Sequence, residues 1–255
     1  MVAVAGLSFQ PVSITRSIDD DINGHIQSDL RPPKRTTGQV SVTMEIVIDD
    51  FESYEDGGLP TRWKYLQGRD LEPLEPRHMA PDEKFFVTMD GENKVLRGYT
   101  EGWTTHVTMA NASDGFDWDL RSHPRLSWDW RVLRLPDGAR EDDEKLNDSA
   151  AAVYVVFKFE GFLIKKPKVI KYSYSSTLPV GTVVTYGKLK IIVASSGLDG
   201  IGTWRTIERD VVADYRRVFD GDPPDRPLSI RLWVDSNSTK TVAEADFDNI
   251  RLLSE

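Results

Sequence analysis

The sequence contains no cysteine, which excludes disulfides, thiolate metal sites and a cysteine nucleophile. Histidine is scarce: His25, His78, His106 and His123 are scattered, and none shows metal-ligand spacing such as H-E-x-x-H. No apolar run approaches the ~20 residues that a membrane-spanning helix needs. The start, "MVAVAGLSF", has no positively charged region before its short apolar stretch, so it does not read as a signal peptide. No G-x-S-x-G elbow, phosphate-binding loop or dinucleotide fingerprint stands in a strand-turn-helix context. Basic charge is in the minority, with 32 Lys and Arg against 41 Asp and Glu and a net charge of −9. A phosphate backbone needs a basic surface, so a nucleic-acid groove is not expected.

What the chain does have is alternation. Its 255 residues are enough to bury a sizeable core. Residues 1–38 are polar and unpatterned, with Asp19, Asp20 and Asp21 in a row and "RPPKRTTG" at the end, and they read as an irregular N-terminal arm. From Gln39 the pattern changes. "QVSVTMEIVID" places Val40, Val42, Met44, Ile46 and Ile48 on one face, the period-two signature of a half-buried strand. Similar runs follow, among them "KFFVTMD", "THVTMANA", "RLSWDWRVLRL", "AAVYVVFKF", "KVIKYSYSS", "LSIRLWVDS" and "AEADFDNIRLL". Turn residues separate them, such as Asp90-Gly91, Pro136-Asp137-Gly138 and Pro223-Pro224. In "ERDVVADYRRVFDG", Val211, Val212, Tyr215 and Val218 fall near helical spacing, which predicts one short helix closed by Gly221. The expected fold is all-β: a two-sheet antiparallel jelly-roll sandwich over 39–255, with one short helix and the irregular arm.

Strand alternation also sorts the candidate site residues. In "LSWDWRV", Leu126, Trp128, Trp130 and Val132 share a face, flanked by aliphatics. That face reads as core, with a sugar platform at Trp130 as the alternative. In "LSIRLWVD", Leu228, Ile230, Leu232 and Val234 form the apolar face, so Trp233 falls opposite with Ser229, Arg231 and Asp235. An indole on a polar face can stack a sugar ring while Arg231 and Asp235 take hydroxyls or carboxylates; cover by a loop or by the arm is the alternative. Tyr172 and Tyr174 share a face with Ile170, and Tyr154 lies opposite Val153, Val155 and Phe157, so each is a candidate for a groove. Asp148, just before the Tyr154 strand, reads as a loop cap, with a part in a site as the alternative. A lyase arrangement of Tyr172, His123 and Arg131 is conceivable, and a hydrolase carboxylate pair is open because acids are abundant.

Longer stretches carry a resemblance. "LSWDWRVLRLPDGAREDDEKLNDSAAAVYVVF", "IKYSYSSTLPVGT", "WRTIERDVVADYRRVFDGDPP" and "LWVDSNSTKTVAEADFDNIRL" resemble the bacterial family called domain of unknown function 3047. That resemblance implies a cell-envelope or periplasmic setting, since members usually carry an export signal. More distantly, "IDDFESYEDGGLPTRWKY" and "ADFDNIRLL" look like the first and last strands of galactose-binding-like jelly rolls. These include carbohydrate-binding modules and the complex I intermediate-associated protein 30 family. The likeness implies a structural calcium where those strands meet, with Glu52 and Asp248 as its carboxylates and Asp49, Asp50 and Asp246 close by in sequence. Calcium takes six to eight oxygens at ~2.3–2.6 Å.

Together these readings predict a non-catalytic module binding a glycan or small polar ligand. A polysaccharide-active enzyme and a structural subunit are the alternatives. The arm is a candidate strand donor to a protein partner.

Overall fold

The structure is a computed structural model and describes residues 44–254, apart from 69, 114, 162–165 and 198–199. The arm expected over 1–38, and any partner it engages, lies outside the described residues.

Two sheets pack face to face. The first is ordered β12 (Arg205–Asp210), β7 (Arg125–Arg134), β14 (Val242–Leu253), β5 (Asn93–Glu101) and β4 (Glu83–Asp90). Strand β1 (Glu45–Asp49) joins it by pairing with the C-terminal half of β14, whereas β5 pairs with the N-terminal half. The second sheet runs β10 (Val183–Tyr186), β11 (Leu189–Ser196), β9 (Lys166–Ser175), β8 (Ser149–Glu160), β13 (Ser229–Asp235), β6 (Thr104–Ala110), β2 (Lys64–Gln67) and β3 (Asp70–Pro73). Between β5 and β8, and again from β11 to β14, the chain crosses from one sheet to the other at each step. This is the jelly-roll sandwich read from the alternation, with one addition: β11 pairs with β9 in parallel.

The core lies where the alternation put it. Leu126, Trp128, Trp130 and Val132 of β7 face Ile170, Tyr172 and Tyr174 of β9 and are buried. Trp128 meets Trp130 edge-on at 5.4 Å and Tyr172 at 5.4 Å, while Trp130 meets Tyr174 at 5.9 Å. Aromatic pairs at these separations prefer tilted geometry, and each buries ~150–250 Å². Trp130, Tyr172 and Tyr174 therefore belong to the inter-sheet core and do not line a surface groove, which corrects their placement as ligand contacts. The flanking Leu126, Val132 and Ile170 share that interior, so the aromatic faces have no outlet to solvent.

The helix, α1 (Val211–Val218), begins at Asp210, whose carboxylate accepts the Ala213 N–H at 2.8 Å. It buries Val211 and Tyr215 and ends at Phe219, two residues before the expected Gly221. β1 differs more. Ile48 is buried, but Met44 is 64% exposed and Ile46 42% exposed. Among the described residues, β1 meets sheet only on its β14 side, past the end of β5, and its N-terminal part packs against no other strand. β2 and β3 were not anticipated, because four residues each give no period to read. Among the described residues, no helix is long and apolar enough to cross a membrane.

Candidate functional site

In β13, Ile230, Leu232 and Val234 point into the core, so Ser229, Arg231, Trp233 and Asp235 point outward from the second sheet. Register then assigns their neighbours. Trp233 lies beside His106 of β6 and Ala152 of β8; Arg231 lies beside Thr108 and Tyr154; Ser229 lies beside Ala110 and Val156. Lys171 of β9 extends the Tyr154 row. The sheet therefore gathers Tyr154, Arg231, Trp233 and Asp235 on one outer face.

Their geometry corrects one role. The His106 ring stacks on Trp233 at 4.2 Å and 9°, and Tyr154 leans on it at 4.9 Å and 34°. His106 comes from one flanking strand and Tyr154 from the other, so both sides of the indole are covered. Trp233 is thus a packed outer-face residue and not an open platform for a sugar ring. Burial, with the nearby Arg231 charge as a lesser cause, pushes His106 down to about 3, so this ring stays neutral.

One end of the face is closed by protein. The loop over 136–148 lays Glu141 against β9, where its carboxylate accepts Ser173 Oγ at 2.8 Å and Ser175 Oγ at 2.6 Å. Asp148 caps a neighbouring loop, accepting the Ser238 and Thr239 N–H groups at 3.0 and 2.7 Å. Lys171 is buried there. Desolvation lowers its pKa, against the opposing pull of Asp235, Glu141 and Asp148. Burial raises Asp235 to about 6 despite Lys171, with Asp148 adding repulsion.

The other end is open. A cleft of about 430 Å³ has Thr108, Ser229 and Arg231 on its floor and Leu71, Phe159 and Leu228 among its walls. Phe159 is 52% exposed, an aromatic from the β8–β9 hairpin with free surface. Arg231 Nε and Thr108 Oγ1 are buried without a hydrogen-bond partner, and Arg231 makes no ion pair among the described residues. Burial lowers the Arg231 pKa, with Tyr154 opposing. A guanidinium is too basic to deprotonate in a protein, so it keeps its charge and its unmet donors. A cleft with apolar walls and a few fixed donors is the usual form of a small-ligand site. Ser229 shares the polar face of β13 with Arg231, as the alternation placed it, whereas Thr108 and Phe159 escaped the sequence reading: pairing register brings Thr108 beside Arg231, and a single sequence does not print register.

The acidic positions near β1 divide. Asp49 is a structural hub, accepting from Phe51 N, Tyr54 Oη and Trp63 Nε1 at 3.0, 2.6 and 2.9 Å. Asp246 is held by Arg97 and Arg131 at 2.7 and 2.6 Å. Glu52 and Asp248 do come near each other, tied to consecutive residues of β5: Glu52 Oε1 accepts Lys94 N at 2.8 Å, and Asp248 Oδ2 accepts Asn93 Nδ2 at 2.8 Å. Burial raises Asp248 to about 6; Asn93 opposes this, and Asp129 and Glu52 add to it. Among the described residues, no three His, Cys, Asp or Glu side chains converge as an ion cage. Tyr172 and Arg131, grouped with His123 as a lyase arrangement, are separated: Tyr172 is in the core, and Arg131 lies on the outer side of the first sheet, bound to Asp246.

The sequence matches the family described as "Protein of unknown function (DUF3047)" over residues 71–251, and the chain belongs to that family. No curated protein matches it. Among solved structures it is similar to the family 30 carbohydrate-binding module of cellulosomal cellulase Cel9D-Cel44B of Clostridium thermocellum. That match has 12% identity and a TM-score of 0.38, and covers 83% of this chain and 98% of the other. A family 16 carbohydrate-binding module matches at 13% identity and TM-score 0.31, over 68% and 86% of the two chains. The xyloglucanase domain of NopAA, a type three effector from Sinorhizobium fredii in complex with cellobiose, matches at 12% and 0.33, over 69% and 90%.

Proposed function

We propose that the outer face of the second sheet binds a carbohydrate or similar small polar ligand, with the cleft at Arg231 as its seat. The observation that carries this is the Arg231 guanidinium, unpaired among the described residues, on the floor of a cleft walled by Leu71, Phe159 and Leu228. Arg231 gives hydrogen bonds to hydroxyls or a carboxylate, Thr108 adds a hydroxyl, and Phe159 offers a ring for sugar C–H groups. Asp235 and Tyr154 act at one remove, holding the row in which Arg231 and Trp233 stand. A cell-envelope or periplasmic setting belongs to the same reading.

The test is an array of neutral and uronate-bearing oligosaccharides probed with the wild-type chain and with Arg231→Gln. Retention by the wild type, lost in Arg231→Gln at an unchanged melting temperature, supports the reading. Equal retention by both proteins removes the cleft from the account. Release of new reducing ends from a bound oligosaccharide would favour the enzyme alternative.

Calcium at Glu52 and Asp248 is a separate proposal. The raised Asp248 pKa supports it, because a cation relieves a buried carboxylate beside other acids. The present bonds to Asn93 and Lys94 would have to yield oxygens to the ion. Added calcium should then raise the melting temperature and a chelator reverse it; no shift from either rejects the site.

A further inference from the structure

Beyond the cleft, on the far side of the β8–β9 hairpin, the surface reverses the sign of the molecule. A pocket of about 380 Å³ is lined by Lys168, Lys188, Lys190, Arg216 and Arg217 around Phe219, with Glu160 and Asp220 as its acids. The chain as a whole carries −9. We propose that this pocket binds a phosphate-bearing anion.

The cations arrive from three separate elements: Lys168 from β9, Lys188 and Lys190 from the β10–β11 hairpin, and Arg216 and Arg217 from α1. Arg216 has its own acid, Asp222 at 2.6 Å, but the acids do not match the other cations one for one. Glu160 is shared among Lys158 at 2.8 Å, Lys188 at 3.3 Å and Lys168 at 3.9 Å. Arg217 reaches Asp214 at 3.3 Å, a carboxylate that Arg209 already holds at 2.6 Å. Lys190 has the Thr185 hydroxyl at 3.3 Å. Lys168 and Lys190 both hold their ammoniums over the Phe219 ring, at 4.6 and 5.5 Å from its centre. Like charges gathered at one ring repel, and an anion between them turns that cost into attraction. Phosphate suits the set better than a monovalent group. Its several oxygens meet lysines as point charges from different directions and meet arginine in pairs. The arginines also offset the negative end of α1, which would otherwise repel the ligand.

This pocket shares no lining residue with the Arg231 cleft, so the two proposals stand or fall separately. The experiment is calorimetric titration with sodium pyrophosphate at about 50 mM salt, beside sedimentation with phosphatidylcholine vesicles with and without phosphatidic acid. Wild type and the pair variant Lys188→Glu/Lys190→Glu are compared, with Arg216→Glu, an exposed position, as a second variant should the pair fail to fold. The expected result is saturable binding at roughly millimolar or tighter affinity. It should weaken about tenfold or more in the variant that folds, and again as salt rises. Binding of pyrophosphate in solution identifies a soluble phosphate; binding only to phosphatidic acid vesicles identifies a lipid headgroup, and either upholds the site. Absence of both, or equal binding by wild type and variant, overturns it.

Discussion

At Asp49 one carboxylate organises a whole strand end. It is 3% exposed and takes donors from the backbone of Phe51, the Tyr54 hydroxyl and the Trp63 indole. Removing it leaves buried donors unmet, each at a cost of about 1–3 kcal/mol. Asp49→Ala should therefore lose about 3 kcal/mol or more in urea unfolding; a loss under ~0.5 kcal/mol would show the hub to be ornamental. Gly98 makes the opposite case, where an atom has no room. A Cβ there would stand 2.7 Å from Phe85 Cε1 and 2.8 Å from Val234 Cγ1. Gly98→Ala should cost about 1–3 kcal/mol through overpacking, read as a lower melting temperature. Neither role is written in the sequence. Asp49 sits in a run of acids that reads as the neighbourhood of a calcium site, and Gly98 looks like any glycine in a strand.

At the scale of elements, alternation carried most of the information. In β7 and β13 it separated inward from outward side chains because the side-chain period of a strand is two and a buried face must be apolar. It could not say which strands lie side by side. The sequence reading thus gave Trp233 the correct face and the wrong role, because His106 and Tyr154 come from strands remote in the chain. Packed between them, Trp233 acts as a brace for β6, β13 and β8. Trp233→Ala should lower stability by about 2–4 kcal/mol, within the range for large-to-small changes. An unchanged melting temperature would mean that the stack does not form. β2 and β3 were illegible for another reason: at the sheet edge they bury little, so no pattern marks them.

For the molecule as a whole, buried carboxylates tie stability to pH. Asp235 holds its proton up to about 6 in the folded chain, against an ordinary 3.8, because burial penalises the charge. Between those values the folded state binds more protons than the unfolded one, so stability falls as pH rises through the window. The difference between those two values corresponds to roughly 2–3 kcal/mol per group as an upper figure. Asp248 adds a slope of the same sign. The double variant Asp235→Asn/Asp248→Asn should show a flatter profile from about pH 4 to 7 in thermal melts. A double variant whose profile runs parallel to the wild type's across that window would contradict the burial assigned to both groups.

The two-sheet architecture was legible because hydrophobic alternation is local. The cleft was legible only at Ser229 and Arg231, because its remaining parts meet through register and hairpin packing. Its most direct examination is a backbone amide NMR titration with the oligosaccharide best retained on the array. Shifts concentrated at Thr108, Ser229, Arg231 and Phe159 are expected. Shifts confined to the outer side of the first sheet, or none at saturating ligand, would contradict the account.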